Sequence, residues 1–194
     1  MKKLLAVLAA AFLFNPAPAA SQPALAIKPL AQKKVAELPA GQLYWRIENF
    51  DGLDQAKAAA SQWSLAAESA GKAWLFTLGA PGGSTPGGSK VTEFGPVPRI
   101  SAPEYLLRIN EATGTPGAIT KIHSHPGSES FFVVRGEQSI RGPRGVTVMK
   151  PGDPTIGQGE QPMQVWSSGS TGLHSLVMFV VDATRPFSTP AKFD

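Results

Sequence analysis

Short runs in which large apolar residues alternate with polar ones recur along most of the chain, separated by Gly, Pro, Asn and Asp. A period of two sends alternate side chains to one face, the signature of half-buried β-strands. The runs at 43–47 (LYWRI), 73–78 (AWLFTL), 105–110 (YLLRIN), 131–134 (FFVV), 137–141, 146–149 (VTVM), 162–166 and 174–181 (HSLVMFVV) are the expected strands. Turn compositions at 142–145 (GPRG) and 151–153 (PGD) break the later ones. One stretch has helical character. Asp51 and Gly52 offer a cap for an alanine-rich helix over 53–60, which either runs on to Glu68 or gives way to a strand at 64–68 that turns at Ala70-Gly71. Propensity leaves both open. The segment 21–41, rich in Ala, Pro, Lys and Gln, is expected to be a mobile lead-in, 80–89 (APGGSTPGGS) a connector, and 185–194 an extended polar tail. Many short strands between turns predict an all-β sandwich or barrel.

Composition agrees with one globular domain: 194 residues, 42% hydrophobic and 16% charged. The net charge of +4 falls to +2 without Lys2 and Lys3, and no basic stripe interleaved with aromatics exists, so nucleic-acid binding has no support. The Pro-Gly-Gly repeats lack the lysine and following helix of a phosphate loop. The start, Met1-Lys2-Lys3 and then an apolar run from Leu4 to Phe14, has the form of a secretory signal peptide too short to span a membrane. Cleavage is expected after Ala17-Pro18-Ala19 or Ala24-Leu25-Ala26, and no later run reaches membrane length. A periplasmic or secreted protein is therefore expected. It has no cysteine, so neither a disulfide nor a cysteine-linked lipid is available to it.

Candidate chemistry is concentrated in 117–136, GAITKIHSHPGSESFFVVRG. His123 and His125 share one strand face, and Pro126-Gly127-Ser128 lets the chain bend before Glu129. Glu129 can then face both imidazoles. Two neutral nitrogen donors and one anionic oxygen suit a divalent transition metal. Phe131 and Val133 share the parity of Glu129 and should line the same cavity.

This stretch resembles the first motif of the cupin superfamily. The motif's glycine, His-x-His pair, glutamate and closing glycine fall at Gly117, His123, His125, Glu129 and Gly136 with every interval met. The resemblance covers about 100–182 and implies a cupin-type jelly-roll β-barrel with both histidines and the glutamate as inward metal ligands. The expected organisation is a signal peptide at 1–26, an N-terminal extension with a strand and a short helix at 27–72, and a barrel at 73–194 with motifs at 117–136 and 152–167. The second motif keeps its interval and little else. Counting from Gly152, Gln158, Glu160, Met163 and Ser167 stand where the family has Pro, Gly, His and Asn.

That leaves the fourth ligand open. Met163 is either a thioether ligand, which would favour copper, or cavity lining; in the second case a two-histidine, one-carboxylate set with open positions suits non-haem iron. His174 could supply an imidazole or, with Phe131 and Trp166, contact a substrate. Glu160 is a weak candidate for a general base. The expected cofactor is a divalent transition metal: copper, iron, manganese or zinc. The expected function is a metal-dependent enzyme of oxygenase or isomerase type, or a non-catalytic periplasmic protein that binds metal or a small ligand. The expected partner is a small molecule, with a homodimer as the expected assembly.

Overall fold

A computed structural model describes residues 22–157 and 159–193. The signal-peptide segment falls outside them over 1–21. In chain order the described residues form β1 (Ala26–Val35), β2 (Leu43–Phe50), α1 (Leu53–Ala58), β3 (Ser64–Ser69), β4 (Lys72–Gly79), β5 (Ser89–Val97), β6 (Tyr105–Gly114) and β7 (His123–Ser124). They continue with β8 (Gly127–Arg135), β9 (Gln138–Gly142), β10 (Gly145–Met149), β11 (Pro154–Gly157), β12 (Gln164–Ser167), β13 (Leu173–Asp182) and β14 (Thr189–Pro190). Among the described residues no helix is long and apolar enough to cross a membrane.

A five-stranded sheet in the order β1-β6-β13-β8-β11 lies at the centre. Both its faces are covered, so β8 and β13 are buried along nearly their whole length instead of on alternate residues, and β13 reads as a nearly unbroken apolar run. One face carries Leu107, Ile109, Phe132, Leu176, Met178 and Val180 against Trp45, Ile47, Trp74 and Phe76 of a four-stranded sheet, β3-β4-β2-β5. The other carries Ala112, Phe131, Val133, Val177 and Phe179 against Met149 and Val165 of a three-stranded sheet, β10-β9-β12. Each large apolar side chain buried in these two cores contributes about 1.5–3 kcal/mol. A third, smaller cluster packs Ala56 of α1 on Phe50, Ala73 and Leu75.

Several expectations change. The lead-in is not mobile: residues 26–35 pair antiparallel with β6, from Ala26 opposite Thr113 to Val35 opposite Tyr105. Its sequence hides this because an edge strand needs only one lightly buried face, and Pro29 sits at the register break where a missing N–H is tolerated. The helix stops at Ala58, and residues 64–69 are a strand that turns through Ala70 (φ 52) and Gly71 (φ 71). No side chain caps α1; Gly52 occupies the cap position. β5 was not foreseen, and it completes the sheet that includes β3 and β4. The boundary drawn between residues 72 and 73 thus falls inside the β3–β4 hairpin. The 80–88 connector is tied down, because Thr85 donates from its backbone N–H (2.8 Å) and its hydroxyl (2.6 Å) to Glu48, which also pairs with Arg46 at 3.0 Å.

The motif glycines have conformational reasons. Gly117 (φ +82) and Gly136 (φ +80) both adopt left-handed backbone. At Gly136 a Cβ would stand 2.7 Å from the Gly172 carbonyl oxygen, so the turn from β8 into β9 requires the residue twice over.

Candidate metal centre and cavity

The two histidines sit on a short, well-anchored piece of chain. β7 pairs with β14, and His123 exchanges backbone hydrogen bonds with Met163 (N–H to O 3.0 Å, and 2.8 Å in return). The period-two alternation puts both rings on one side, 5.0 Å apart between centroids and near perpendicular at 85°. Each ring is oriented by a backbone carbonyl. His123 Nδ1 lies 2.8 Å from the Lys121 oxygen and His125 Nδ1 lies 2.6 Å from the Phe187 oxygen. A carbonyl only accepts, so Nδ1 is the nitrogen that keeps the proton in the neutral form of each ring, and Nε2 is the one left to present a lone pair. This is the arrangement in which histidine ligates metals, with the outer nitrogen fixed by a second partner.

Glu129 enters from the start of β8. Its carboxylate is buried, Oε2 lies 3.9 Å from His125 Nε2, and Oε1 has no hydrogen-bond partner among the described residues. Burial pushes its carboxyl up to about 8. Burial likewise pushes His125 down to about 4; its bond to Phe187 opposes the shift, while the charges of His123 and Arg108 add to it. An orphaned carboxylate oxygen beside two imidazole lone pairs is a donor set in need of a cation. Among the described residues, however, no three His, Cys, Asp or Glu side chains already converge as a finished metal cage.

The C-terminal segment closes over this cluster. Phe187 packs on His125 (4.7 Å) and Phe179 (4.9 Å), and the Arg108 guanidinium lies 4.2 Å from its ring centre. The tail expected to be polar and extended therefore contributes an aromatic wall and the carbonyl that sets the His125 tautomer. A cavity of about 880 Å³ opens beside it, with His123, His125, Glu129 and Phe131 in its lining. Asn110, Gln138 and Phe187 also line it, and sequence reasoning missed all three. Gln138 did leave a signal, as a polar residue two positions after the closing motif glycine at the head of a strand.

The remaining candidates lie elsewhere. Met163 is buried in the core between the sheets and borders a separate hollow of about 270 Å³ beside Thr155 and Gln161. Trp166 alternates with the core residue Val165, is half-buried and does not line the main cavity. His174 also stands outside the cavity lining. It alternates with Leu173 and Ser175, so it faces the four-stranded sheet, where Nε2 meets Ser69 Oγ at 2.8 Å and Glu111 Oε1 at 3.0 Å. Its parity follows from the register of β13 on β6, which the sequence did not supply. Glu160 is exposed, pairs with Arg185 and stands outside the cavity lining. Gln158 lies outside the described residues.

No protein-family model matches the sequence, and no curated protein matches it. Solved structures do resemble it. A cupin-like protein from Thermotoga maritima is similar over 45% of this chain and 65% of its own, at 18% identity and a TM-score of 0.41. A protein with a double-stranded β-helix domain from Klebsiella pneumoniae matches 44% of this chain and 75% of its own, at 24% identity and a TM-score of 0.39. The DMSP lyase DddQ from Ruegeria pomeroyi matches 44% of this chain and 43% of its own, at 17% identity and a TM-score of 0.39. The chain thus spans less than two thirds of the length of the Thermotoga protein and less than half that of the lyase. A cupin-like protein, a cupin superfamily protein and a double-stranded β-helix protein are thus among the solved structures that resemble this chain.

Proposed function

We propose that the protein is an exported cupin in which His123, His125 and Glu129 hold one divalent transition metal at the end of a small-molecule cavity, the two facing sheets closing as a jelly-roll barrel. The observation that carries this reading is the pair of imidazoles with Nδ1 fixed by Lys121 and Phe187 carbonyls, both Nε2 lone pairs free, beside a buried carboxylate with an unpartnered oxygen. A bound ion would supply a Lewis-acid centre. The chain's own residues do the rest. Lys121 and Phe187 hold the ring protons on the outer nitrogens. Phe179 and Phe187 exclude water from one side of His125. Phe131 and Val177 give the cavity apolar walls that orient a ligand.

A second reading, binding without turnover, has an observation in its favour. Lys121, His123, His125 and Glu129 are the only titratable side chains in the described cavity lining. If three of them hold metal, no carboxylate of the described lining remains to act as acid or base, and Glu160 stands outside that lining. Loading purified His123→Ala and His125→Ala proteins with Zn(II) tests the metal assignment shared by both readings. Each variant should lose most of the bound metal and keep the wild-type circular dichroism spectrum. Undiminished loading in both would refute the assignment.

A further inference from the structure

Arg108 and Asn110 stand two residues apart on the cavity face of β6, and neither belongs to the proposed metal set. The pairing of β13 with its two neighbours fixes where they lie. Phe179 sits between Arg108 and Glu129, and Val177 sits between Asn110 and Phe131. Asn110 is therefore two strands across from Glu129 and two residues along. At about 4.8 Å per strand and 3.3 Å per residue this is roughly 12 Å between backbones.

Arg108 is half-buried, and its guanidinium lies against the Phe187 ring. It forms no salt bridge with a carboxylate of the described residues. Burial pulls its pKa below the usual value, and no neighbouring carboxylate counters that. Its Nε donates to Asn110 Oδ1 at 2.8 Å.

That bond settles how the Asn110 amide is turned. An Nε–H only donates, so Oδ1 faces Arg108 and the NH2 group faces away from it. Asn110 is 2% exposed and lines the cavity. Its Nδ2 has no hydrogen-bond partner among the described residues, yet it is not one of the unpartnered polar atoms there that are shut off from every accessible surface. The NH2 group thus opens into the cavity, from a wall whose neighbouring residues Ala112 and Val177 are apolar. Satisfying Arg108 does not account for it, because that uses only the amide oxygen and leaves the charge unmatched.

A donor without an acceptor calls for a ligand that accepts. Charge narrows the kind. In the described lining Lys121 is the one lysine or arginine and Glu129 the one carboxylate, whose single charge a divalent ion would outweigh. Arg108 adds a positive charge directly behind the amide. An anionic oxygen is therefore favoured over a neutral one, and it also makes the stronger hydrogen bond. A phosphate would bring up to two charges and three oxygens to a single amide, leaving most of them unpaired. A carboxylate brings one charge, which Arg108 matches.

We propose that Asn110, with Arg108 behind it, anchors the carboxylate of a ligand, so that the cavity takes a small, mostly apolar carboxylic acid whose other end extends towards the histidines. The inference rests on the reading of this cavity as a small-molecule site and specifies its ligand class. Asn110 is the binding residue; Arg108, outside the lining, orients the amide and supplies the charge.

The test uses the mature full-length protein in metal-free form, so that a carboxylate has no metal to bind. Two probes of equal size, hexanoate and 2-heptanone, are compared by NMR titration at neutral pH. Hexanoate should bind at least about ten-fold more tightly than the ketone. Asn110→Leu keeps the volume and removes the donor; the preference should fall at least about five-fold while 2-heptanone affinity stays within about two-fold. Asn110→Asp keeps an acceptor for Arg108, so it guards against a misfolded Leu variant. It sets a carboxylate where the ligand's would lie, so the ketone should now bind better than hexanoate. Lys121→Met should retain most of the wild-type preference. Equal affinities for the two probes in wild type, an undiminished preference in both Asn110 variants, loss of the preference in Lys121→Met alone, or binding of neither probe overturns the proposal. Zn(II) uptake by the same samples separates this inference from the reading beneath it. No carboxylate preference in protein that takes up Zn(II) removes this inference alone, and loss of both removes the proposed function with it.

Discussion

Glu129 makes the metal-free protein's stability depend on pH with an unusual sign. The carboxyl moves from an ordinary 4.5 to about 8 on folding because burial penalises its charged form. Between those values the folded chain binds more protons than the unfolded chain, so stability falls as pH rises. At about 1.4 kcal/mol per pH unit the full effect is about 5 kcal/mol. His125 works the other way. Its imidazole moves from 6.5 to about 4, so the unfolded chain binds more protons across that window and stability rises with pH, by about 3 kcal/mol in all. The two slopes cancel from pH 4.5 to 6.5. From 6.5 to 8 only Glu129 acts, and the expected loss is about 2 kcal/mol. Urea unfolding of chelator-treated protein at pH 5.5, 6.5, 7.25 and 8 reads this directly. The wild type should be level to pH 6.5 and then weaken, while Glu129→Gln should show no loss above 6.5. Added Zn(II) should abolish the loss in wild type, since a metal ligand must be deprotonated. The same decline in Glu129→Gln, or a flat profile in metal-free wild type, would refute the reasoning.

Other expectations follow from single residues. Gly117→Ala, with left-handed backbone and open space around it, should cost about 1–2 kcal/mol of unfolding free energy. Gly136→Ala has the same φ but also meets the Gly172 carbonyl, and should cost about 1–3 kcal/mol more; equal losses would disprove the close approach. Met163 is buried among the core residues, and on the reading that its thioether is packing, Met163→Leu should leave the relative affinity for Cu(I) and Zn(II) unchanged and cost under about 1.5 kcal/mol; a selective loss of Cu(I) would show a sulfur ligand. If the protein is exported, N-terminal sequencing should find the cut after Ala19. Leu25 is buried and donates to the Ile119 carbonyl at 3.1 Å, and the Ile119 N–H returns to Pro23 at 2.9 Å. A mature chain beginning at Ile27 would contradict that.

Residues that interact along the strand could be read from the sequence. His123, His125, Glu129 and Phe131 are close neighbours in sequence, their parity follows from a period of two, and they border one cavity. Residues whose role depends on which strand lies beside which could not be read. His174 looked like a spare imidazole, yet its face is set by the pairing of β13 with β6 and β8. Phe187 reaches His125 from 62 positions away, and no local pattern announces that. The lead-in was misread for a related reason: β1 is stabilised by its pairing with β6, and an edge strand with lysines on its exposed face carries almost no hydrophobic periodicity of its own.

The central claim is that His123, His125 and Glu129 hold a metal, and elemental analysis of protein isolated from the compartment to which it is delivered tests it most directly. The account predicts close to one copper, iron, manganese or zinc ion per chain, falling to a small fraction in His125→Ala protein prepared in parallel. A wild-type preparation without stoichiometric metal that also fails to take up any of these four ions when they are supplied would contradict it.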